Sequence, residues 1–179
     1  ILGDIGNSET KIFLVNSNYK ILKNIILPTK EINNKILRSN FKKLTSNFNG
    51  IKKVLFCSVV PKSYKIIKKF LSQKIKVRCY EIKDLNLKSL INIDVNFKQV
   101  GSDRLTNAIS LINKKDNFII LDFGTATTFD VVIKKDYKGG VIAPGIKISL
   151  NTLSDKATLI PKINLKKIKR VVGIDTKSA

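Results

Sequence analysis

The sequence of 179 residues contains no histidine, no methionine and no tryptophan, and it has only two cysteines and four prolines. Without histidine, Ser-His-Asp and Cys-His catalysis are excluded, together with most zinc sites. Acid–base chemistry therefore falls to carboxylates, lysine or tyrosine. Cys57 and Cys79 have no metal-ligand spacing, and no signal-peptide pattern precedes them. We expect two buried thiols and no structural disulfide.

Long apolar runs are also missing, because no stretch approaches the roughly 18 residues that a membrane-spanning helix needs. We therefore expect a cytoplasmic protein with no membrane partner. Apolar residues make up 43% of the chain, which is typical of a globular protein with one filled domain or two small halves. Because even an initiator methionine is absent, we expect a fragment.

Acidic residues are scarce: the chain has 13 of them and 34 lysines and arginines, so its net charge is +21. One interpretation is a surface for nucleic acid or another polyanion. The other is compositional drift, because the cations are almost all lysines, spread along a chain that is also rich in Ile and Asn. We favour drift and expect no nucleic-acid partner, while general steering of anionic substrates stays open.

Two segments share one pattern at a single offset of 118 positions. Asp122-Phe123-Gly124-Thr125 lies between the apolar runs 118–121 and 131–133, and Asp4-Ile5-Gly6-Asn7 lies in the same setting near the N-terminus. At this offset Val15 falls on Ile133. Each segment reads as strand, tight turn, strand, and the carboxylates and hydroxyls at the bend suit a phosphate and its cation. We infer two related half-domains that face each other across a cleft.

Hydrophobic periodicity predicts a strand-strand-strand-helix unit at the start of each half. Strands are expected at 1–5, 11–15, 21–27, 54–60, 77–82, 118–121, 128–133 and 139–142, and helices over 32–48, 66–71, 101–112 and 146–156. The nearly continuous apolar run at 54–60 is typical of a buried parallel strand, whereas 83–97 is polar and irregular. The order of elements predicts an α/β fold with mixed sheets.

Five motifs in order carry a resemblance to a known family. They are Asp4-Ile-Gly-Asn-Ser-Glu-Thr-Lys11, Cys57-Ser-Val-Val-Pro61, Val100-Gly-Ser-Asp-Arg104, Asp122-Phe-Gly-Thr-Ala-Thr127 and Gly139-Gly-Val-Ile-Ala-Pro-Gly145. Their order and spacing resemble type III pantothenate kinase, of the actin/hexokinase/heat-shock ATPase superfamily. The resemblance implies duplicated ribonuclease H-like (actin-like ATPase) halves with flanking helices. The halves would be residues 1–115 and 116–179, the second truncated.

The resemblance implies an ATP site on the two turns. The first turn would bind the phosphates through Asp4, Ile5, Gly6, Asn7, Ser8, Glu9, Thr10 and Lys11, and Thr125 would contact ATP from the second. Backbone N–H groups of a tight turn attract anions, and Lys11 adds a point charge. Asp4 is a candidate Mg²⁺ ligand, and Asp122 would bind a monovalent cation, K⁺ or NH₄⁺. An ordinary hairpin with Asp/Gly/Asn turn chemistry is the alternative.

Asp103 is the candidate general base, because phosphoryl transfer needs one group to accept the proton of the nucleophile. A Gly-Ser-Asp sequence is also a common helix cap, so from the pattern alone the structural interpretation stays open. The family resemblance favours the base and places Gly101, Ser102, Asp103 and Arg104 along the pantothenate site, with Arg104 as an anion partner. Thr176 would contact pantothenate. Asp130 is either a residue that supports the site from behind or a plain polar strand position, and we favour the second.

The implied activity is ATP-dependent phosphorylation of pantothenate to 4′-phosphopantothenate, the first step of coenzyme A biosynthesis, by a homodimer. Family members often carry an aromatic residue and an Asn-Pro pair before the Gly-x-Asp-Arg motif, and here residues 94–97 read Asp-Val-Asn-Phe. Two alternatives remain. One is a transcriptional accessory factor of the same fold, and the other is a small-molecule kinase or phosphatase of the superfamily with a different substrate.

Overall fold

A computed structural model describes residues 1–113, 115–162 and 172–175. These residues form two mixed β-sheets and four α-helices. The strands are β1 (Leu2–Ile5), β2 (Glu9–Val15), β3 (Ile21–Pro28), β4 (Val54–Ser58), β5 (Cys79–Glu81), β6 (Asn92–Ile93), β7 (Asn117–Phe123), β8 (Ala126–Ile133) and β9 (Asp136–Pro144). The helices are α1 (Asn34–Leu44), α2 (Pro61–Ser72), α3 (Ser102–Leu111) and α4 (Ile146–Lys156). The α/β class with mixed sheets is therefore confirmed.

The first sheet has the strand order β3-β2-β1-β4-β5. Strands β1 to β3 form an antiparallel meander, and β4 runs parallel to β1, as the apolar run at 54–60 predicts. Helix α1 begins at the Asn33 cap, whose side chain accepts a hydrogen bond from the Ile36 amide (3.0 Å). Pro61 opens α2, where its missing N–H costs nothing. Both helices pack on the sheet through fully buried side chains: Ile5, Ile12, Leu37, Phe41, Phe56, Ile67 and Leu71.

The second sheet has the order β6-β9-β8-β7, with β6 parallel to β9 and the other pairs antiparallel. Helix α3 packs against one face through Leu105 and Ala108, which meet Val132 and Tyr137. Because strand side chains alternate between faces, the opposite face presents a different set of apolar residues. These side chains are exposed: Ile119, Leu121, Phe123, Phe129 and Val141.

The boundary between the two hydrophobic cores lies earlier in the chain than residue 115, the predicted boundary between the halves. The first core ends at Cys79, and the second begins at Ile82. The polar segment after β5 is not wholly irregular, because it contains two 3₁₀ turns, Ile82–Asp84 and Leu87–Ser89, and then β6, which joins the second sheet. The boundary at residue 115 stays a prediction, but the buried apolar residues from Ile82 to Ala108 belong to the second core, while α3 also contacts β4 of the first sheet.

The two hairpins are both antiparallel, and their first strands correspond at the offset of 118 as far as the turn. Asp4 lies opposite Lys11 in β2, and Asp122 lies opposite Thr128 in β8. The first turn has three residues, 6–8, and the second has only two, 124–125. The single offset of 118 is therefore wrong beyond the turn, where it becomes 117 and Val15 corresponds to Val132.

Within the described residues, no helix is long and apolar enough to cross a membrane.

Candidate active site

The turn after β1 and the turn after β7 meet. The hydroxyl oxygens of Ser8 and Thr125 are 2.9 Å apart and share a hydrogen bond, although the two residues are 117 positions apart in the chain. Each turn follows a strand whose penultimate residue is a carboxylate, Asp4 in one sheet and Asp122 in the other. The predicted facing of the two bends is thus present in the fold, and it creates one site at the joint edge of both sheets.

Buried hydroxyls fasten the first turn to the end of β3. The Thr29 amide donates to the Ser8 carbonyl (2.9 Å), and the Thr29 hydroxyl donates to the Gly6 carbonyl (2.7 Å). The Thr10 hydroxyl is 2.9 Å from that of Thr29, and both side chains are buried. The Gly6 amide closes the turn by donating to the Glu9 carbonyl (3.0 Å). Thr29 is a structural residue of the site that the sequence interpretation did not single out.

Residues of the predicted phosphate loop fall into two groups. The side chains of Ile5 and Thr10 are fully buried, so they support the turn from below and do not face a ligand. Asn7, Ser8 and Glu9 are exposed at the bend. In the described part of the chain, the backbone N–H groups of Asn7 and Ser8 have no acceptor, so two donors of a tight turn are available to an anion.

Negative charge is concentrated around Asp4. Its pKa is raised, first by partial desolvation and then by the charges of Asp103 and Asp122, while Lys11 acts in the opposite direction. Lys11 lies directly across from Asp4 in the neighbouring strand, so both side chains are on one face of the sheet. Carboxylates from three separate elements therefore repel one another at this edge, which is where a cation is favoured.

Cys57 lies beside this cluster without the properties of a nucleophile. It is the register partner of Asp4 across the parallel β1–β4 pair. Burial raises the pKa of the thiol to about 12, the charges of Asp4 and Asp103 add to the rise, and a hydrogen bond with Thr106 opposes it. The thiol is therefore protonated at neutral pH. Cys57 and the buried Cys79 are both free.

Asp103 occupies the first turn of α3, where its Oδ1 accepts a hydrogen bond from the Arg104 amide (2.8 Å). The N-cap residue is Gly101, which has no side chain to provide a cap. A Cβ atom on Gly101 would overlap Asp103 Oδ1, so glycine is what allows the carboxylate to fold back over the start of the helix. The same geometry serves a helix cap and a positioned base.

Arg104 points into the second sheet and forms an ion pair with Asp130. Its Nε donates to Asp130 Oδ1 (2.8 Å), and its Nη2 lies 2.6 Å from the same oxygen. Burial alone would lower the pKa of Arg104, but the hydrogen bond and charge of Asp130 hold it above its usual value. The interpretation of Asp130 as a plain polar strand position is wrong, because its side chain is 0% exposed. Asp130 lies two positions before the buried Val132, so both side chains are on the inward face of β8, and this spacing was the available signal.

Asp122 is held from α3 by Asn107, whose Nδ2 donates to Asp122 Oδ2 (3.0 Å). Asp103 and Asn107 are four residues apart, so they share the helix face that looks at both turns. That spacing could have identified Asn107 in the sequence. Thr176, the predicted pantothenate contact, lies outside the described residues.

The acidic groups do not form a metal cage by themselves. Within the described ranges, no cluster of three or more Asp, Glu or Cys side chains is arranged to hold a metal ion. Mg²⁺ in phosphoryl-transfer sites usually takes one or two carboxylates and completes its shell with water and substrate phosphates. Asp4, with its raised pKa beside two further carboxylates, fits that arrangement.

A cavity of about 520 Å³ adjoins the start of α3. Gly101 and Ser102 form one wall, the Ser58–Val59 end of β4 forms another, and Lys83 and Lys98 lie at the side. Among the described residues, Lys98 has no acidic partner within ion-pair distance. The lining also carries the carboxylates of Glu81 and Asp84, and neither pairs with Lys98, which is therefore a cation of the cavity without an acidic ion-pair partner among the described residues.

Sequence comparison connects this geometry to a family. A family profile described as type III pantothenate kinase matches residues 1–179. The chain is 62% identical over its whole length to "Type III pantothenate kinase" of Pelagibacter ubique (strain HTCC1062), and it spans 72% of that protein. It is 36% identical to the protein of the same name from Sulfurihydrogenibium sp. (strain YO3AOP1), with 98% of this chain and 72% of that protein covered.

Two solved structures share the fold at low identity. One is a "conserved putative Baf family transcriptional activator from Campylobacter jejuni", with a TM-score of 0.57, 17% identity, and coverage of 99% of this chain and 69% of that one. The other is a "putative 2-dehydro-3-deoxygalactonokinase protein from Sinorhizobium meliloti", with a TM-score of 0.51, 8% identity, and coverage of 87% and 57%. The profile match over the full chain and the 62% identity show that this chain belongs to the type III pantothenate kinase family.

Proposed function

We propose that this protein transfers the γ-phosphate of ATP to the primary hydroxyl of pantothenate and yields 4′-phosphopantothenate, the first step of coenzyme A biosynthesis. The names of its relatives support the reaction. The observation that carries it is the 2.9 Å contact between the Ser8 and Thr125 hydroxyls, with Asp4, Asp103 and Asp122 around it. One nucleotide can then be held between two turns.

ATP is bound by both turns in this proposal. The exposed Asn7 and Ser8 amides bind phosphate oxygens, Lys11 balances their charge, and Thr125 contacts the nucleotide from the second turn. Ile5 and Thr10 contribute support from the core, because both are buried. Glu9 is exposed at the rim of the turn. Binding of this kind places the γ-phosphate near the start of α3.

The proposed metals follow from the charge of the site. Asp4 holds Mg²⁺, which neutralises charge on the phosphate oxygens when it is bound. Asp122 supplies an oxygen to a monovalent cation, K⁺ or NH₄⁺, while Asn107 orients that carboxylate through its other oxygen. Asp103 holds neither cation in this proposal, so its carboxylate is available to accept the proton.

In the proposed transfer, the pantothenate hydroxyl oxygen bonds to the γ-phosphorus while the bond from that phosphorus to ADP breaks. The hydroxyl proton passes to the Asp103 carboxylate. The backfolded position of this carboxylate over Gly101 fixes it at the helix start. Gly101 and Ser102 line the acceptor side. Contacts of Arg104 and Thr176 with pantothenate, which the family resemblance implies, stay part of the proposal.

The cavity beside Gly101 is the proposed pantothenate site. Arg104 is already paired with Asp130, so its charge is balanced before a substrate arrives. Lys98 is a better partner for the pantothenate carboxylate, since it borders the cavity and has no acidic partner among the described residues. The segment 94–97 has no tyrosine or proline, and its aromatic residue is Phe97.

At the scale of the fold, the two matching hairpins support a duplication of ribonuclease H-like halves of the actin-like ATPase type. A cytoplasmic homodimer is part of the same proposal. The exposed apolar face of the second sheet, on β7, β8 and β9, is a surface that a second copy can cover.

A coupled assay of ADP release tests the proposed reaction. Turnover should require pantothenate, and mass spectrometry should detect one added phosphate on it. A panel of other small alcohols tests the alternative of a different kinase substrate. ADP release that is independent of pantothenate, or faster with another alcohol, would contradict the proposal.

A further inference from the structure

One buried carboxylate oxygen beside the candidate site, Asp130 Oδ1, accepts two hydrogen bonds and lies against a third nitrogen. Asp130 Oδ1 accepts from Arg104 Nε (2.8 Å) and from the Tyr137 hydroxyl (2.5 Å), and Arg104 Nη2 lies 2.6 Å away. Thr128 Oγ1 donates to the other oxygen at 3.4 Å. The Arg104 side chain is 12% exposed, and that of Asp130 is 0% exposed. This cluster is a buried ion-pair network within the second core, in which Arg104 Nη2 has no hydrogen-bond partner among the described residues. Arg104 is its one member among the predicted site residues.

The backbone around the network is shaped to admit the guanidinium. Gly140 in β9 is the register partner of Asp130 in β8. A Cβ atom on Gly140 would overlap the Phe129 carbonyl and would lie 2.8 Å from Arg104 Nη2. Residues from α3, β8 and β9 thus converge on a single side chain.

A buried ion pair is weak evidence for stability, because desolvation of both charges offsets their attraction. Such a pair fixes geometry, since each charge is restricted to one partner. Arg104 directly follows Asp103, whose carboxylate accepts the Arg104 backbone N–H. The side chain and the amide of one residue therefore connect the buried acceptor to the candidate base.

We infer that Asp130 and Tyr137 are positioning residues for phosphoryl transfer, which act by fixing Arg104 and, through it, the first turn of α3 that carries Asp103. This inference rests on the proposed function. Asp130 and Tyr137 do not touch the reacting atoms. Their loss should reduce the rate of transfer without weakening nucleotide binding on the β1 turn.

The test measures kcat, KM for ATP and the melting temperature of four variants. Asp130→Asn keeps the shape but removes the charge, and Tyr137→Phe removes one donor. The double variant Arg104→Gln/Asp130→Asn removes the uncompensated buried charge that the single change leaves. Asp136→Asn makes the same carboxylate-to-amide change at the exposed pair with Lys138 in the same sheet, and it is the matched control.

At temperatures where every variant is folded, Asp130→Asn should lower kcat on the order of 10²-fold, the loss typical of a small misplacement. KM for ATP should change less than about twofold, because the nucleotide-binding contacts are intact. Tyr137→Phe should lower kcat to a smaller extent, and Asp136→Asn should match the wild type. The double variant should regain melting temperature without regaining kcat.

A purely structural network gives a different result. In that case kcat of Asp130→Asn equals that of the wild type wherever the protein is folded, or the double variant recovers rate together with stability. Either result overturns the inference. If the wild type itself does not phosphorylate pantothenate, the proposed function fails first, so the two failures are distinguishable.

Discussion

At the scale of single residues, Asp4 lowers the stability of the folded protein when it is charged, although the proposed mechanism uses that charge. Its pKa is raised by desolvation and by the two neighbouring carboxylates, so the folded protein holds its proton more tightly than the unfolded chain does. With that sign, stability falls as the pH rises from the unfolded pKa through the raised folded pKa. Above that window the charged form opposes folding.

Asp4→Asn should therefore raise the melting temperature at neutral pH and abolish turnover. The amide removes the repulsion from Asp103 and Asp122 and also removes the Mg²⁺ ligand. Thermal melts at pH 4 and pH 7 test the sign, because the gain should shrink at the lower pH. A lower melting temperature at pH 7 would contradict the charge assignment.

At the scale of elements, the fold builds the site by fastening turns to neighbouring strands. The hydroxyl of Thr29, just after β3, holds the Gly6 carbonyl and contacts the Thr10 hydroxyl in a buried position. The β1 turn is therefore held in shape before ATP arrives. A preformed turn binds phosphate without an ordering cost.

Thr29→Val should lower the free energy of unfolding by about 1–3 kcal/mol, because two buried polar groups lose their partner. KM for ATP should rise several-fold, since the turn is less well held. Thr45→Val is the matched control, because the Thr45 hydroxyl bonds only at the exposed end of α1. Denaturant unfolding and initial rates measure both quantities. An unchanged KM for ATP would show that the turn needs no such support.

The segment between β6 and α3 supplies a second element-scale prediction. Lys98→Gln should raise KM for pantothenate about tenfold and leave kcat and KM for ATP unchanged, because it removes a uniform binding contact. Lys65→Gln, on the exposed side of α2, is the charge-matched control. If Lys98→Gln and Lys65→Gln behave alike, the substrate carboxylate binds elsewhere.

Sequence patterns predicted the elements well because most follow simple periodicity. The meander β1 to β3, the parallel strand β4 and helix α4 lie where alternation and helical spacing place them. The inward position of Asp130 was visible in the strand pattern, but its pairing with Arg104 was not, because an ion pair between α3 and β8 depends on tertiary packing. The second turn is one residue shorter than the first, and the sequence did not show this difference because both turns have the same Asp-x-Gly pattern.

At the scale of the whole molecule, the charge of +21 raises the question of a polyanion partner. Binding by lysines alone is governed by counterion release and weakens steeply with salt. We expect a labelled duplex to be shifted at low salt and released at physiological salt, because no dedicated groove is needed to explain the charge. Retention of the duplex near 150 mM salt would favour the transcriptional alternative and should be checked with an unrelated sequence.

The central claim is that Asp103 takes the proton of an alcohol that attacks ATP held between two turns. The most direct measurement is steady-state turnover with ATP and pantothenate for the wild type and Asp103→Asn, with ATP affinity measured by calorimetry. Asp155→Asn in the exposed part of α4 is the control. The account predicts that Asp103→Asn loses about 10²–10⁴-fold in kcat while it binds ATP as tightly as the wild type. Unchanged turnover in Asp103→Asn would contradict it.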